Sequence, residues 1–284
     1  MSSATRRVRQ VALAIIALAV VAYGAALVRL MTQETELIFR TAAGRADTRP
    51  AFPYTQIDLP RTDGARQFAW RMERATDGTN GHGGRGDWVL YLHGNASTVG
   101  SRMNVKHYGR LRELGLNVLA PEYRGYNGLE GVPSEQAVAA DARAAYDYLR
   151  ERERVTPDRL LIYGWSLGGA IAVQLASTVE ARGIVLEGAP ASIVDIGASR
   201  YPMFPVRWII RNPFNVVEQV RGIRAPLLFL HSPEDTVVPF AQGRRLFDAA
   251  TAPKTFVEVR GGHIESSEID HEKFYGAIRT FISQ

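Results

Sequence analysis

The sequence predicts an α/β domain in which helices cover both faces of a mostly parallel central sheet, preceded by one membrane-spanning helix. Short continuous apolar runs, such as residues 88–92 (WVLYL) and 160–163 (LLIY), are typical of strands that are buried on both faces. Stretches of helical length alternate with these runs, which is the pattern of a parallel sheet. Residues 11–28 add an uncharged apolar stretch near the N-terminus.

The composition is that of a folded globular protein. Apolar residues make up 46% and charged residues 22% of the 284-residue chain, which excludes wholesale disorder and fibrous architectures. The chain has no cysteine, so disulfides, thiolate metal sites and a cysteine nucleophile are excluded. The formal net charge is +5, but residues 1–30 carry four arginines and no acidic residue. The rest of the chain is nearly neutral, so we expect no nucleic-acid partner.

The N-terminal segment predicts a membrane anchor over residues 1–30. At about 1.5 Å per residue, the stretch 11–28 comes close to the roughly 30 Å of a bilayer core. Three arginines precede it and one follows directly, so the positive-inside rule keeps a short N-terminus in the cytoplasm and places the rest of the chain across the membrane. The alternative is a cleaved signal peptide and a secreted protein.

The remaining chain divides into a linker, residues 31–54, and one domain, residues 55–284. Its strands are predicted at residues 55–59, 67–71, 88–92, 116–120, 160–163, 183–186, 226–230 and 255–259. Its helices are predicted at residues 98–114, 134–153, 167–178, 240–250 and 270–282, with Ser134 as an N-cap. The glycine-rich residues 77–87 predict a surface loop. Residues 190–224 interrupt the alternation and predict a short insert.

The most specific motif is Gly164-Trp165-Ser166-Leu167-Gly168, which fits G-x-S-x-G between a predicted strand and a predicted helix. In that context the serine occupies a sharp turn that lifts its hydroxyl clear of the sheet, and Gly164 and Gly168 avoid clashes in the turn. The helix N-terminus favours negative charge that develops there. The alternative is an ordinary glycine-rich turn with an N-cap serine.

A nucleophilic serine needs a base and a carboxylate that orients the base. Both are expected after later strands, in the order serine, acid, histidine. Asp235 follows the strand predicted at 226–230, and His263 follows the strand predicted at 255–259 and a double glycine. We therefore predict Ser166, Asp235 and His263 as catalytic residues. Glu234 is the alternative acid and His271 the alternative base.

Two backbone N–H groups are needed to stabilise an oxyanion. Leu167, the residue after the nucleophile, supplies the first candidate. The loop after the first buried strand, His93-Gly94-Asn95-Ala96, supplies the second. Within this loop we predict the N–H of Asn95, with that of Ala96 as the alternative.

These motifs resemble the α/β-hydrolase superfamily, over nearly everything from about residue 37 onward. The resemblance is closest to a single-pass, membrane-anchored branch related to serine-aminopeptidase-like hydrolases, monoacylglycerol lipases and protein depalmitoylases. Besides the motif around Ser166, the segments that carry it are 91–96 (YLHGNA), 122–135 (EYRGYNGLEGVPSE), 201–211 (YPMFPVRWIIR), 226–240 (PLLFLHSPEDTVVPF) and 261–263 (GGH). The resemblance implies the α/β-hydrolase fold and a serine hydrolase that needs no metal or organic cofactor.

Three positions depart from the pattern of that branch. Asn127 stands where glycine is usual, although asparagine tolerates a left-handed backbone. Glu122 stands for the usual aspartate, and Ser232 replaces the usual glycine after His231. These departures concern loop geometry and leave the predicted catalytic residues unchanged.

The insert at 190–224 lies where the superfamily places its cap, and it is rich in apolar residues. We predict that it forms an acyl-chain groove above Ser166, with Phe204 and Trp208 as substrate contacts. The alternative is that one or two short helices simply pack on the body. A small lid and a membrane anchor favour lipid-like esters or thioesters over soluble peptides, by analogy.

The expected reaction is hydrolysis of a carboxylic ester or thioester through an acyl-enzyme. An amidase or serine-aminopeptidase-like peptidase with the same three residues is the alternative enzyme. A non-catalytic, membrane-tethered binding scaffold is a third hypothesis, which the complete set of serine, aspartate and histidine disfavours. The expected partners are an acyl substrate and the membrane, and the sequence predicts no oligomeric state.

Overall fold

The computed structural model describes residues 3–41, 48–61, 64–75 and 86–284. Residues 42–47 of the predicted linker and 77–85 of the predicted glycine-rich loop lie outside the described residues. The strands are β1 (Thr55–Leu59), β2 (Gln67–Met72), β3 (Trp88–Leu92), β4 (Asn117–Pro121), β5 (Leu160–Trp165), β6 (Gly183–Glu187), β7 (Leu227–His231) and β8 (Lys254–Glu258). The helices are α1 (Ser3–Phe39), α2 (Arg102–Glu113), α3 (Glu135–Glu151), α4 (Leu167–Ala176), α5 (Ile193–Arg200), α6 (Val206–Ile209), α7 (Val217–Arg221), α8 (Phe240–Ala249), α9 (Ser266–Ile269) and α10 (His271–Ile282).

The eight strands of the described residues form one sheet in the order β1-β2-β4-β3-β5-β6-β7-β8. The pairs β1–β2 and β2–β4 are antiparallel, and the five pairs from β4 through β3 to β8 are parallel. The prediction of a mostly parallel sheet is therefore confirmed. Because the carboxyl ends of parallel strands meet at one edge, the segments that follow β3 to β8 lie together there. We call this edge the carboxyl edge.

Two apolar layers cover the sheet, as the continuous apolar strands predict. In β3, Leu90 and Leu92 pack into the layer that contains α3 and α4, whereas Val89 and Tyr91 pack into the layer that contains α2 and α10. Every residue of β3 is buried. The central strands are thus buried on both faces, which holds the loops of the carboxyl edge on a rigid support.

Helix α1 extends beyond the predicted anchor, so residues 31–39 of the predicted linker are helical and pack on the body. The Glu34 carboxylate accepts hydrogen bonds from the backbone N–H groups of Arg211 and Asn212, both at 2.8 Å. Phe39 is fully buried, with its ring 6.0 Å from that of Phe214. These contacts come from residues about 175 positions later in the chain, which is why no local periodicity revealed them.

The insert at 190–224 contains three short helices, α5, α6 and α7, whereas the alternative interpretation of the sequence expected one or two. The side chain of Ser192 caps α5 by accepting from the N–H of Asp195 at 3.2 Å. In the same way Ser134 caps α3, accepting from the N–H of Ala137 at 3.2 Å as predicted. The short helix α9 was not predicted, and the other elements differ from prediction by a few residues at their ends.

Candidate active site

Ser166 lies in the turn between β5 and α4. Its backbone dihedral angles are ones that residues other than glycine rarely adopt. Its φ is +54° and its ψ is −122°. A non-glycine residue in this region is strained, and such strain persists only where the surroundings enforce it. The turn places Ser166 at the N-terminus of α4 and at the carboxyl edge of the sheet, so the hydroxyl lies where the helix dipole favours negative charge.

Two glycines allow this turn to form. A Cβ on Gly164 would lie 2.7 Å from the Cβ of Ala172, and a Cβ on Gly168 would lie 2.6 Å from the carbonyl oxygen of His93. Real Cβ atoms essentially never show either distance. Both predicted elbow glycines therefore stand where the chain packs too closely for any side chain.

The structure brings the three predicted catalytic residues into one hydrogen-bonded row. The hydroxyl oxygen of Ser166 lies 2.8 Å from Nε2 of His263, and Nδ1 of the same ring lies 2.6 Å from Oδ2 of Asp235. Asp235 follows β7 and His263 follows β8, so the three side chains converge at the carboxyl edge. This geometry allows the imidazole to take the serine proton while the carboxylate holds the ring in the required tautomer.

The carboxylate of Asp235 is held in its ionised form. Burial raises its pKa, but hydrogen bonds from His231 and His263, together with backbone N–H groups, lower it further than burial raises it. Oδ1 accepts from the N–H groups of Val237 and Val238, both at 2.8 Å. The net effect is a pKa of Asp235 well below its ordinary value, which suits a group that orients and stabilises an imidazolium.

The alternative acid and base lie elsewhere. Glu234 is exposed, and its backbone N–H donates to the hydroxyl of Ser232 at 3.0 Å. His271 begins α10, where its ring lies 4.9 Å from that of Tyr275. Neither side chain joins the row formed by Ser166 and His263, so the geometry favours Asp235 and His263.

The loop after β3 passes close to Ser166. A Cβ on Gly94 would lie 3.1 Å from the Cβ of Ser166, which shows how closely the loop approaches. The N–H of Ala96 is engaged, because it donates to the carbonyl of Phe39 at 3.2 Å. Among the described residues, the N–H groups of Asn95 and Leu167 donate to no protein atom, and both residues line the cavity at Ser166. Asn95 is therefore a better candidate than Ala96.

Contacts that the sequence did not reveal hold this loop in place. The side chain of Asn95 donates to the carbonyl of Ile38 at 2.9 Å, and the N–H of Ala96 donates to that of Phe39. The hydroxyl of Tyr126, in the segment after β4, donates to the same Phe39 carbonyl at 2.7 Å. The last turn of α1 thus supplies carbonyl acceptors to the loop. The last carbonyl groups of every helix lack partners within the helix and need hydrogen-bond donors from elsewhere. The sequence did not predict where α1 ends, so it could not identify which carbonyls these were.

The departure at Glu122 also acts on this loop. Glu122 is fully buried, and its Oε1 lies 2.9 Å from Nε2 of His93. Its Oε2 accepts from the N–H of Val99 at 3.1 Å. The glutamate, which directly follows β4, therefore holds two points of the segment between β3 and α2, at His93 and at Val99. The departure at Asn127 lies in a left-handed conformation, φ +50°, as its tolerance for that region suggests.

A cavity of about 520 Å³ opens beside Ser166. This volume is within the usual range for small-molecule sites. Three parts of the chain line it: the end of α1, the site loops and the insert. The insert and α1 contribute mainly apolar side chains, including Leu30, Met31, Leu37, Ile193, Ile196, Val206, Ile209 and Ile210. The arrangement suits an acyl chain that extends away from the serine.

The two predicted substrate contacts do not line this cavity. Trp208 is 90% exposed, and the ring of Phe204 stacks on that of Tyr23 at 5.3 Å. The short helix α6 turns Val206 and Ile209 toward the cavity instead. The sequence prediction took two aromatic residues from an apolar insert, but helix orientation and the contact with α1 decide which side chains face inward.

Glu187, the last residue of β6, is a buried acid near the site. Burial, reinforced by the charge of Asp235, raises the pKa of Glu187 to about 8, and the hydrogen bond from Tyr163 at 2.5 Å offsets only part of that rise. His107 lies 3.8 Å from this carboxyl group, and burial lowers its pKa to about 4. Near pH 7 both groups are therefore neutral. The described residues contain no group of three His, Asp or Glu side chains that could hold a metal ion.

Comparisons with known proteins agree on the fold. Residues 82–258 match the family described as the alpha/beta hydrolase family. An uncharacterised protein of Mycobacterium tuberculosis, Rv2307c, is 33% identical over 276 residues, 96% of this chain and 95% of that protein. The lysophosphatidylserine lipase ABHD12 of Danio rerio is 34% identical over 186 residues, 59% of this chain and 48% of that lipase. The Pyrococcus furiosus esterase Pf2001 superposes with a TM-score of 0.68 at 18% identity, covering 82% of this chain and 90% of the esterase.

Proposed function

Because this chain belongs to the alpha/beta hydrolase family, we propose that it hydrolyses carboxylic esters through an acyl-enzyme formed on Ser166. One observation carries the proposal. The hydroxyl of Ser166 lies 2.8 Å from an imidazole nitrogen of His263, beside two backbone N–H groups that donate to no protein atom in the described structure. The named lipase and esterase among its relatives support ester hydrolysis.

In the first half-reaction, Ser166 Oγ attacks the carbonyl carbon as its proton passes to Nε2 of His263. The carbonyl electron pair moves onto oxygen, where the N–H groups of Leu167 and Asn95 stabilise it. The tetrahedral intermediate collapses, the bond to the alcohol oxygen breaks, and His263 donates its proton to that oxygen. The acyl group stays on Ser166.

Water completes the second half-reaction by the same route. His263 takes a proton from water, whose oxygen attacks the acyl carbon. The same two N–H groups hold the oxyanion, and collapse breaks the bond to Ser166 Oγ, which regains the proton from His263. Asp235 stays ionised throughout and stabilises the imidazolium. No step calls for a metal or an organic cofactor.

The proposed substrate is a lipid-like acyl ester, with a thioester as the related possibility. The apolar lining from α1 and the insert suits a hydrocarbon chain. Helix α1 has a mean hydropathy of 2.7 over its most apolar window, with none of that window buried in the protein. We propose that this helix anchors the protein in a membrane, with the short N-terminus cytoplasmic and the catalytic domain on the other side. The alternative, a cleaved signal peptide, would leave a mature N-terminus near Ala25.

A fluorophosphonate probe tests the nucleophile directly. The full-length protein should be labelled, and the Ser166→Ala variant should not be. An unlabelled wild type, or equal labelling of the variant, would exclude the hydrolase. Matched series of nitrophenyl esters, acyl thioesters and aminoacyl amides then measure the substrate class. If aminoacyl amides gave the highest kcat/KM, the enzyme would be a peptidase or amidase instead.

A further inference from the structure

The exposed large hydrophobic side chains of the catalytic body are gathered at one edge. From residue 48 onward, the described residues include six of them: Val132, Met203, Trp208, Val237, Ile264 and Ile269. Each lies in a segment that follows the carboxyl end of a strand of the parallel sheet, namely β4, β6, β7 or β8. The described connections at the opposite edge, such as residues 152–159, 177–182 and 250–253, contain none. This asymmetry marks one face for an apolar partner.

Helix α1 passes the same edge and fixes the distance between this face and the apolar stretch 11–28. The ring of Tyr23 stacks on Phe204 at 5.3 Å, and the Tyr23 hydroxyl donates to the carbonyl of Met203 at 2.9 Å. Tyr23 lies five residues before the end of the stretch. At a rise of 1.5 Å per residue, the tip of the insert therefore reaches about 7.5 Å along the apolar part of the helix.

We propose that the carboxyl edge docks on the bilayer that α1 enters, with Met203 and Trp208 at the boundary between headgroups and acyl chains. The proposal rests on the membrane anchor of the proposed function. Lipid is the occupant because residues 203 and 204 contact α1 inside its apolar stretch, so a bilayer around that stretch must meet the insert. Tryptophan favours this boundary, and the exposed Arg29 and Arg200 suit anionic headgroups there.

Docking in this orientation would connect the bilayer to the nucleophile. Three side chains line the cavity at Ser166 and are also exposed: Met31 at 41%, Leu37 at 43% and Val237 at 48%. Because they are both exposed and part of the cavity wall, they supply an apolar entrance to the cavity. An acyl chain could then move from the membrane to Ser166 without crossing water, so the substrate would enter from the lipid phase.

Tryptophan fluorescence tests the docking without relying on activity. Trp208 is 90% exposed, whereas Trp70, Trp88 and Trp165 are 7%, 6% and 7% exposed. Full-length protein is reconstituted in phosphatidylcholine and phosphatidylglycerol vesicles, with bromine near the headgroup end of the acyl chains. We expect bromine quenching of the wild type and much weaker quenching of Trp208→Phe. Equal quenching of the two proteins would overturn the proposal, as would a Trp208 shielded from water but unquenched, which would indicate a protein partner.

The same measurement on Ser166→Ala separates this proposal from the proposed function. If that variant and the wild type show equal Trp208 quenching, docking stands whether or not the protein is a hydrolase.

For active enzyme, the double variant Met203→Ser, Trp208→Ser should lose about tenfold in kcat/KM toward an ester embedded in vesicles, which corresponds to about 1.4 kcal/mol. Its kcat/KM toward a short soluble ester should stay within about twofold of the wild type. The control variant Arg152→Ser, at the exposed end of α3 on the opposite edge, should change neither. Equal losses toward both substrates would contradict docking.

Discussion

The side-chain amide of Asn95 donates to the carbonyl of Ile38 at 2.9 Å, so the loop that faces Ser166 is fastened to the last turn of α1. The N–H of Ala96 adds a bond to Phe39 at 3.2 Å. The helix proposed as a membrane anchor therefore also supports the loop proposed to stabilise the oxyanion. The proposed membrane anchor and the proposed oxyanion loop therefore depend on the same helix.

Asn95→Ala should lower kcat by about tenfold and leave KM almost unchanged. The variant keeps the backbone N–H but loses the bond that orients it, and an interaction made in the transition state acts on kcat. Steady-state kinetics on a soluble ester measure the effect. The control is Asn127→Gly, which keeps the left-handed backbone of another loop at the carboxyl edge and should leave kcat within about twofold of the wild type. An unchanged kcat in Asn95→Ala would show that the bond to Ile38 does not matter for catalysis.

Asp235→Asn should lower kcat by about 10⁴-fold, because an amide cannot stabilise the imidazolium or hold the required tautomer. The new side chain could keep the position of the carboxylate, whose Oδ2 lies 2.6 Å from Nδ1 of His263. It would, however, lack the negative charge. Single-turnover hydrolysis measures the loss. Glu234→Gln removes a charge from the adjacent exposed position and should have almost no effect. Comparable losses in the two variants would mean that the acid has been assigned to the wrong residue.

Gly168→Ala should destabilise the protein by about 3 kcal/mol, because its Cβ would collide with the backbone oxygens of Leu92 and His93 at the end of β3. Chemical denaturation measures the free energy of unfolding. Gly276→Ala is the matched control, since its Cβ would meet nothing within 4 Å and its position lies inside α10. That variant should be more stable than the wild type by about 0.5–1 kcal/mol through helix propensity. If both variants were equally stable, the close packing of the turn would be disproved.

Glu187→Gln should stabilise the protein increasingly as the pH rises from 5 to 8. The folded-state pKa of about 8 lies above the ordinary value of 4.5, so the folded protein keeps a proton that the unfolded chain releases. Stability from this group is complete below the unfolded pKa and falls as the pH rises, by about 1.4 kcal/mol per pH unit. Thermal melts of both proteins across this range measure the difference, which should grow with pH. A constant difference would show that Glu187 ionises normally.

The fold class and the local chemistry were readable from the sequence because they depend on neighbours along the chain. Continuous apolar strands such as β3 predicted burial on both faces, and the mostly parallel sheet is confirmed. The turn around Ser166 was predictable from two glycines and a serine within five residues, 164–168. Asp235 and His263 were predictable as candidates because each follows a strand, and parallel strands end at one edge. Their catalytic roles remain predictions.

Other features depend on contacts between distant parts of the chain, and only the tertiary structure decided them. Glu34 meets Asn212 across 178 positions, which carries α1 past its predicted end and onto the body. Tyr23 meets Phe204 across a similar distance, which turns Phe204 away from the cavity. Hydrophobic periodicity cannot predict such pairs. The pattern along a helix shows which of its residues are apolar, but not which distant side chain packs against them. The sequence by itself determined the sheet and the candidate nucleophile, whereas long-range packing determined which residues surround it.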